Sequence, residues 1–550
     1  MGIGNGNWKQ YSQGGPGDHY PGMGCGKVSV VVGTACTLSF VYALSLLLMS
    51  TRPCWNACQP TPCASLSTLP VGYNDTISQL AVPGGNFSES MAQVDHFAPL
   101  KAEGQFPADE KGEVANCTST FNGRHTGTDI SRIVFGIAGA RDMWWGRKEY
   151  LKLWWKPSKM RGFVFLDEKP YGDYWIDDWP PYRISENTSH FEYTYKGGSR
   201  SAIRISRILS EMLRMDLPNV DWFVMGDDDT LFFEDNLVQV LSKYDHTKMY
   251  YIGSNSESHL QNIHFSYNMA FGGGGFAISY PLAKALEKIQ DDCLARYPHL
   301  FGSDDRMQAC MAELGIPLTK EPGFHQLDVV GDISGLLAAH PAAPLVTLHH
   351  LEIVQPIFPN TATKNFTRVE ALKHLLKAAE VEAASILQQS ICYDRFLKWS
   401  FSISWGYVVQ VHKGFVSPRE LQIPQKTFKS WHKDQNKVTF PFNTRDYPEN
   451  VCQQPTRFFM ESVKPTAVNS EGEMEGVFQR EYYEKKYTCA ETLQPLSTVH
   501  RIRVLRKKID PSWYQMPRRS CCRIRNWENE NIDIHVGLCG DSESIIGTFG

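Results

Sequence analysis

Apolar runs of strand length alternate with segments of helical periodicity through the middle of the chain. Residues 132–140, 161–166 and 222–226 are apolar runs, and 191–195 form a shorter one. Residues 142–155, between the first two runs, form a predicted helix. Before the third run lies a second predicted helix, whose apolar positions are Ile205, Ile208, Leu209, Met212 and Leu213. Strands that alternate with helices predict an α/β domain with a mostly parallel sheet.

The third apolar run ends at three consecutive carboxylates, Asp227, Asp228 and Asp229. Ligands of open α/β sheets bind beyond the carboxyl ends of the strands. Adjacent like charges repel each other, and a divalent cation with oxygen ligands, such as Mg²⁺ or Mn²⁺, relieves that repulsion. The alternative is a solvated acidic turn. The buried strand that precedes the cluster favours the metal site.

Three further segments carry candidate chemistry, and each has a simpler alternative. The four glycines at 272–275 permit close approach of the backbone to a ligand, or they form a flexible turn. Asp304 and Asp305 begin a predicted helix, where carboxylates either cap the backbone or act in catalysis. His349 and His350 follow a predicted strand, and an imidazole there is either a manganese ligand or an ordinary core or surface side chain.

Residues 28–50 carry no charged side chain, and Lys27 and Arg52 flank them. As a helix this segment is long enough to cross the ~30 Å hydrocarbon core of a bilayer. An uncleaved signal anchor is favoured over a cleaved signal peptide, because the preceding tail is long and no small-residue cleavage site follows. Five potential N-glycosylation sites all lie beyond this span, at Asn74, Asn86, Asn116, Asn187 and Asn365.

The cysteines agree with a lumenal location for the rest of the chain. Twelve of the 14 cysteines follow the predicted span, where an oxidising lumen permits disulfides. Residues 51–128 are rich in Pro, Gly, Ser and Thr and are predicted to form a stem. Cys54, Cys58 and Cys63 within it form either a zinc site or, as we favour, disulfides within or between chains. The stem is therefore also the predicted route to a homo-oligomer.

The C-terminal third is predicted to hold one helix, within 367–392, and then short strands such as 401–405 and 407–411. Six cysteines can crosslink this β-rich region: Cys392, Cys452, Cys489, Cys521, Cys522 and Cys539. The basic stretch at 501–508, together with Arg518 and Arg519, is either a solvated face, which we favour, or a contact for an acidic polysaccharide. We predict a small β-rich accessory domain.

The overall charge excludes one class of partner. The formal net charge is -4, and the sequence pI is near 6.5, so nothing indicates nucleic-acid binding. Aromatic residues are frequent, with 14 Trp and 23 Tyr. The segment 174–181 combines aromatic and acidic side chains and is either an acceptor-binding loop or a packed surface loop.

Several of these motifs occur together in a fixed order. They are the Arg147-to-Trp155 helix, Trp222-Phe223 with Asp227 to Asp229, Tyr251 to Gly253, Gly272 to Ser279, Asp304-Asp305 and His350-Leu351-Glu352. In this order, across roughly residues 133–356, the chain resembles the Fringe-like β1,3-glycosyltransferases. The C-terminal extension resembles that of plant Fringe-related proteins, which carry a domain of unknown function.

The resemblance implies a GT-A fold, a UDP-sugar donor, Mn²⁺ or another divalent cation, and a single-pass type II protein of the Golgi membrane with a lumenal catalytic domain. It also implies residue roles. The metal ligands would be Asp229 and His350. The nucleotide-sugar contacts would come from Asp227, Asp228, Arg147, Gly273 and Gly274. The catalytic pair would be Asp304 and Asp305, with Asp305 as the base. Two positions depart from the family pattern, because Arg306 replaces an apolar residue and His349 replaces a small one.

These implications give an expected reaction and an expected domain plan. The reaction is sugar transfer with inversion to a hydroxyl of a glycan, glycoprotein or glycolipid, giving a β1,3 linkage. The rival hypothesis is an inactive lumenal lectin or scaffold that keeps the fold. The predicted segments are a cytoplasmic tail (1–27), a signal anchor (28–50) and a stem (51–128). A glycosyltransferase domain (129–360) and a helical and β-rich accessory domain (361–550) follow.

Overall fold

The computed structural model describes seven stretches of the chain. They are residues 127–359, 365–431, 440–466, 472–481, 496, 498–528 and 530–546. The predicted tail and signal anchor, most of the stem, and the cysteines within the stem lie outside these residues, so those predictions stay predictions. Within the described stretches, no helix is both long and apolar enough to span a bilayer.

Ten strands belong to the first part of the described chain. They are β1 (Ile133–Ala138), β2 (Arg161–Leu166), β3 (Tyr182–Ile184), β4 (Trp222–Asp227), β5 (Leu231–Phe232), β6 (Tyr251–Gly253), β7 (Phe276–Ser279), β8 (Leu318–Lys320), β9 (Val329–Gly331) and β10 (Thr347–Leu348). Seven of them form one sheet in the order β3-β2-β1-β4-β7-β6-β8. β7 runs antiparallel to both neighbours, and the other adjacent pairs are parallel. The predicted α/β architecture with a mostly parallel sheet is confirmed.

The described residues contain nine α-helices. They are α1 (Arg141–Trp154), α2 (Ser201–Leu213), α3 (Glu234–Leu241), α4 (His259–His264), α5 (Tyr280–Arg296), α6 (Ser303–Glu313), α7 (Ser334–Leu337), α8 (Arg368–Val381) and α9 (Pro418–Leu421). Short 3₁₀ turns occur at Ile130–Arg132, Tyr171–Asp173, Ala383–Ser385, Val451–Gln453 and Pro511–Tyr514.

The central strands are buried on both faces, which explains why they are continuous apolar runs in the sequence. All six residues of β1 are buried. Successive side chains of a strand point to opposite faces. Phe135 accordingly packs in the cluster that contains Trp154 of α1, whereas Val134 packs in the cluster that contains Ile208 and Met212 of α2. Helices therefore cover both faces of the sheet.

Residues 191–195, which the sequence predicted as a strand, have no regular structure. Phe191 packs against Ile203 and Leu294, and its carbonyl accepts a hydrogen bond from Arg200 Nη2 at 2.9 Å. The apolar side chains of this segment thus pack against helices. The Arg200 side chain makes the backbone hydrogen bond that a neighbouring strand would otherwise make. The strand on this side of the sheet is β3, which pairs with β2.

The C-terminal region forms a closed eight-stranded barrel. Including β14, which lies outside the barrel, its strands are β11 (Gln389–Asp394), β12 (Trp399–Ser404), β13 (Val408–Lys413), β14 (Phe428–Ser430), β15 (Thr456–Pro465), β16 (Glu473–Arg480), β17 (Arg501–Lys507), β18 (Cys521–Glu528) and β19 (Asn531–Gly537). The barrel order is β11-β12-β13-β15-β16-β17-β19-β18. Disulfides join Cys392 to Cys522 and Cys521 to Cys539.

The basic stretch predicted as a solvated face is strand β17, and its side chains alternate between solvent and core. Arg501 and Arg503 are on the outer face, where Arg503 pairs with Asp533 at 2.6 Å. Arg506 points inward, is 1% exposed, and donates to Ser385 Oγ at 3.0 Å. Only the outward half of the stretch is therefore a solvated face.

A disulfide between Cys293 of α5 and Cys310 of α6 lies in the core beneath the sheet, and both residues are 0% exposed. The bond closes a loop of 17 residues. Closing a loop of that length stabilises the fold by about 3 kcal/mol in the chain-entropy description.

We expect the Cys293→Ala/Cys310→Ala double variant to lose about that free energy of unfolding in a denaturant titration. An unchanged midpoint, or alkylation of either thiol in the unreduced wild type, would contradict this assignment.

Candidate active site

The acidic cluster lies where β4 leaves the sheet, as the sequence predicted. Ala138 at the end of β1 pairs with Asp227, and Ala138 O accepts a hydrogen bond from Asp228 N at 3.0 Å. Thr230 closes the turn, because its Oγ1 accepts from Asp227 N at 2.8 Å. Asp228 and Asp229 are 1% and 0% exposed. The solvated acidic turn is therefore excluded.

A short antiparallel ribbon brings a histidine to these carboxylates. Leu348 of β10 pairs with Leu231 of β5, so the next residue, His349, lies beside Asp229. His349 Nε2 is 3.1 Å from Asp229 Oδ1 and 3.7 Å from Asp227 Oδ2. Burial lowers the pKa of His349, but the Asp229 charge and hydrogen bond outweigh it, so the pKa is raised overall.

The residues present fit a divalent cation. Asp227, Asp229 and His349 each offer one ligand atom, and those atoms lie within 4.8 Å of one another. Two carboxylate oxygens and one imidazole nitrogen suit Mn²⁺. A half-buried position and the charges of Asp229 and Asp304 raise the pKa of Asp227 to about 7. A nearby positive charge would stabilise the ionised form of a carboxyl group whose pKa is raised in this way.

The resemblance assigned the histidine ligand to His350, whereas the structure brings His349 to the carboxylates. His350 adopts a left-handed backbone conformation with φ of 51°. Its Nδ1 lies 3.2 Å from Asp328 Oδ1, and its ring lies behind that of His349 at a centroid distance of 3.9 Å. The register of the β5–β10 ribbon decides which histidine contacts the carboxylates, because it places the first residue after β10 against the cluster.

Arg147, which was predicted to contact the nucleotide, is bonded to the acidic residues themselves. Its Nη1 donates to Asp228 Oδ1 at 2.7 Å, and its Nη2 donates to Glu352 Oε1 at 2.8 Å. Nη2 also lies 3.0 Å from Asp229 Oδ2. Burial lowers the pKa of Arg147, but the three carboxylates outweigh it and hold that pKa above its usual value. Arg147 thus stabilises the buried charges of the site.

The glycine loop is a packed wall of the site, which argues against the flexible turn. A Cβ on Gly273 would lie 2.0 Å from His349 Cε1, and one on Gly272 would lie 2.5 Å from Asp304 Oδ1. Gly275 has φ of 78°, which favours glycine. Gly274 N donates to Gln326 Oε1 at 2.6 Å. The nucleotide-sugar contacts of Gly273 and Gly274 stay a prediction.

Asp305 takes the capping role that was one of the two alternatives for the acidic pair, and a catalytic role for either residue stays a prediction. Asp305 Oδ1 accepts from the backbone N–H groups of Gly302 and Arg306, both at 2.9 Å, and its Oδ2 accepts from Phe301 N at 2.9 Å. Asp305 therefore caps α6. Arg306 Nη1 donates to the Gly302 carbonyl at 2.7 Å and to no carboxylate among the described residues.

Asp304 lines a small cavity together with Asp227 and Gly272. Burial, followed by the Asp305 charge, raises the pKa of Asp304 to about 6, although hydrogen bonds from Gly272 N–H and Ser303 oppose the shift. A carboxylate with a pKa near neutrality is suited to general base catalysis. The cavity thus places one candidate base beside the candidate metal site.

In the aromatic segment at 174–181 the tryptophans are packed, whereas Tyr174, Asp177, Asp178 and Pro181 are exposed. Trp175 stacks on Trp144 of α1 with a centroid distance of 4.3 Å and an interplanar angle of 14°. Trp179 is 2% exposed and meets Trp144 edge-on. Tyr174 is half exposed. These contacts favour the packed loop over the acceptor-binding loop.

Residues 184–336 match the family model described as Fringe-like. This part of the chain is similar to Fringe-like domains. Residues 261–522 match a second model, described as a protein of unknown function, DUF604. The resemblance inferred from the motifs is thereby confirmed, and the acidic cluster, the glycine loop and the Asp304-Asp305 pair all lie within the Fringe-like match.

Relatives with a described activity match a shorter segment. A β-1,3-glucosyltransferase of Mus musculus is 30% identical over 119 residues, which are 22% of this chain and 23% of that protein. The Homo sapiens β-1,3-glucosyltransferase is 32% identical over 119 residues, with the same coverage of 22% and 23%. The chain therefore spans less than a quarter of the length of these relatives.

Solved structures give weak overlaps. The catalytic domain of Drosophila β1,4-galactosyltransferase 7 in complex with xylobiose matches with a TM-score of 0.20 and 12% identity, over 34% of this chain and 63% of that one. Mouse xyloside xylosyltransferase 1, apo form, matches with a TM-score of 0.24 and 7% identity, over 34% and 81%. Neither overlap bears on function.

The sequence reasoning missed three residues of the site. Glu352 belongs to the recognised His350-Leu351-Glu352 motif, but its pairing with Arg147 was not foreseen. Asp328, which contacts His350, and Trp431, which stacks on His350 at 4.6 Å, carry no local signal. Trp431 reaches the site through the pairing of β9 with β14, which are far apart in sequence.

The packing of the glycine loop leads to a matched pair of substitutions. We expect Gly273→Ala to displace His349 from Asp229, because the new methyl group would overlap the imidazole, and so to weaken Mn²⁺ binding about tenfold or more. Gly146→Ala is the control, because a Cβ there meets nothing within 4 Å. Calorimetric Mn²⁺ titration of both variants checks this. Equal affinities would show that the loop does not position His349.

Proposed function

We propose that this chain is a metal-dependent, inverting glycosyltransferase with a GT-A fold that transfers a sugar from a UDP-sugar to a glycan hydroxyl. The observation that carries the proposal is the convergence of Asp227, Asp229 and His349 at the end of a buried parallel strand, beside Asp304. The Fringe-like domain and the two β-1,3-glucosyltransferase relatives support the reaction class and a β1,3 linkage.

Asp227, Asp229 and His349 would hold Mn²⁺, which supplies charge neutralisation at the diphosphate of a leaving UDP. Asp228 lies outside this group of ligand atoms, and its Oδ1 accepts a hydrogen bond from Arg147 Nη1 at 2.7 Å. The Arg147 guanidinium and Glu352 instead keep the acidic turn in place from the α1 side. The buried positions of Asp228 and Asp229 exclude water from that side of the site.

A carboxylate of the Asp304-Asp305 pair accepts the proton of the acceptor hydroxyl as that oxygen attacks the anomeric carbon. Attack opposite the departing UDP inverts the centre, so an α-linked donor yields a β-glycoside. The resemblance names Asp305 as the base. Within this pair the geometry favours Asp304, because Asp304 lines the cavity next to Asp227, whereas Asp305 accepts three backbone hydrogen bonds.

We propose in addition that this domain lies in the lumen of the Golgi. Residues 28–50 would anchor the protein in a type II orientation. Asn187 and Asn365 are exposed and thus accessible to glycosylation. The disulfides Cys293–Cys310, Cys392–Cys522 and Cys521–Cys539 suit an oxidising compartment.

Two single substitutions distinguish the candidate bases. We expect whichever carboxylate is the base to lose about 10²-fold or more in turnover when changed to Asn, with UDP binding kept. Asp305→Asn should in addition lower the melting temperature, because the amide nitrogen cannot accept the hydrogen bond from Phe301 N and the negative charge at the start of α6 is lost, a cost of about 1 kcal/mol. Asp304→Asn should leave the melting temperature nearly unchanged.

The assay measures UDP release from a panel of UDP-sugars with Mn²⁺ and with EDTA, on the wild type and both variants. Release that requires Mn²⁺ and falls in only one variant supports the proposal and assigns the base. Unchanged release in both variants would exclude the pair from catalysis. Glycan binding by the wild type without UDP binding under any condition would favour the lectin or scaffold.

A further inference from the structure

The C-terminal region contributes a side chain to the candidate active site. β14 pairs antiparallel with β9, with Ser430 opposite Val329 and Phe428 opposite Gly331. β9 directly follows Asp328, which contacts His350. Trp431, the residue after β14, is thereby brought to His350 although the two strands are about 100 residues apart in the chain.

Three rings form a stack that ends at the acidic cluster. The Trp431 and His350 rings lie 4.6 Å apart with an interplanar angle of 28°. The His350 and His349 rings lie 3.9 Å apart with an angle of 32°. His349 Nε2 then lies 3.1 Å from Asp229 Oδ1. Trp431 is half-buried, so it covers the outer side of the stack.

His350 needs such support, because its backbone is in the left-handed region with φ of 51°. A side chain other than glycine is strained there and keeps that conformation only when its surroundings hold it. Two contacts hold His350. Asp328 Oδ1 lies 3.2 Å from its Nδ1, and the Trp431 ring lies against its face.

The segment that carries Trp431 is itself fixed to the Fringe-like domain. Thr427 Oγ1 donates to the Asp332 carbonyl at 2.6 Å and accepts from Gly335 N at 3.0 Å. A Cβ on Gly335 would lie 2.0 Å from the Gln425 carbonyl oxygen, so the two backbones touch. Arg457 of β15 extends this contact to the barrel, because its Nη1 donates to Asp332 Oδ2 at 3.2 Å.

We propose that Trp431 is a positioning residue that holds His350 in its left-handed turn and thereby directs His349 toward Asp229. The DUF604 region would then complete the candidate metal site of the Fringe-like domain. This inference rests on the metal-binding part of the proposed function. It does not depend on which sugar is transferred or which carboxylate is the base.

The test measures Mn²⁺ affinity of the full-length protein from the electron paramagnetic resonance signal of free Mn²⁺, with and without UDP. We expect Trp431→Ala to weaken Mn²⁺ binding about tenfold, as substitution of residues that orient metal ligands commonly does. Trp431→Phe should restore affinity to within about threefold of wild type, because an aromatic ring can still stack on His350. Phe396→Ala is the control, because Phe396 is 98% exposed on the barrel and should have no effect.

Each outcome has a distinct meaning. Wild-type Mn²⁺ affinity in Trp431→Ala would overturn the positioning role while leaving the proposed function intact. Loss of UDP-sugar binding with unchanged Mn²⁺ affinity would also overturn it, because Trp431 would then contact the substrate directly. Absence of Mn²⁺ binding in the wild type, with or without UDP, would overturn both proposals. If Trp431→Ala fails to fold, the comparison of Trp431→Phe with Trp431→Leu decides, since only the aromatic ring should preserve affinity.

Discussion

Buried like charges at the end of β4 are the constraint on which the site depends. Asp228 and Asp229 are almost fully removed from water, and two adjacent buried carboxylates repel each other strongly unless opposite charges compensate them. The fold supplies one guanidinium from α1 and one imidazole from the end of β10. Glu352 adds another carboxylate to the same network, so a deficit of positive charge remains. A divalent cation is the natural complement to that arrangement.

This requirement explains why distant elements converge here. The first turns of α1 bring Arg147 to one side of the cluster, and the β5–β10 ribbon brings His349 to the other. The glycine loop fits between Asp304 and His349 only because it has no side chains. Beyond them, the β9–β14 pair joins the barrel region to the same histidines. The region with the DUF604 match is thus part of the structure around the site and not a separate appendage.

Local sequence pattern was sufficient for the parts of the fold that local forces decide. β1 and β4 were predictable because strands buried on both faces are continuous apolar runs, and the acidic cluster was predictable because it ends one of them. α1 and α2 follow from periodicity. The segment 191–195 was not predictable, because its apolar side chains pack against helices and Arg200 bonds its backbone.

The details of the site depend on contacts that no local pattern reveals. His349 and His350 are neighbours, and the choice between them depends on the register of a ribbon only two residues long in each strand. A shift of one residue in such a pairing reverses which side chain faces the cluster. The basic β17 likewise has an inward Arg506 that its charge would not suggest. Trp431 reaches His350 only through pairing between strands far apart in the chain.

The central claim is that His349, with Asp227 and Asp229, forms a metal site for a UDP-sugar. Its most direct test is the equilibrium binding of UDP to the full-length protein, with Mn²⁺ and with EDTA, for the wild type, His349→Ala and His350→Ala. The account predicts that UDP binding requires Mn²⁺, is lost in His349→Ala, and is weakened but retained in His350→Ala. Undiminished binding in EDTA, or full Mn²⁺-dependent binding by His349→Ala, would contradict it.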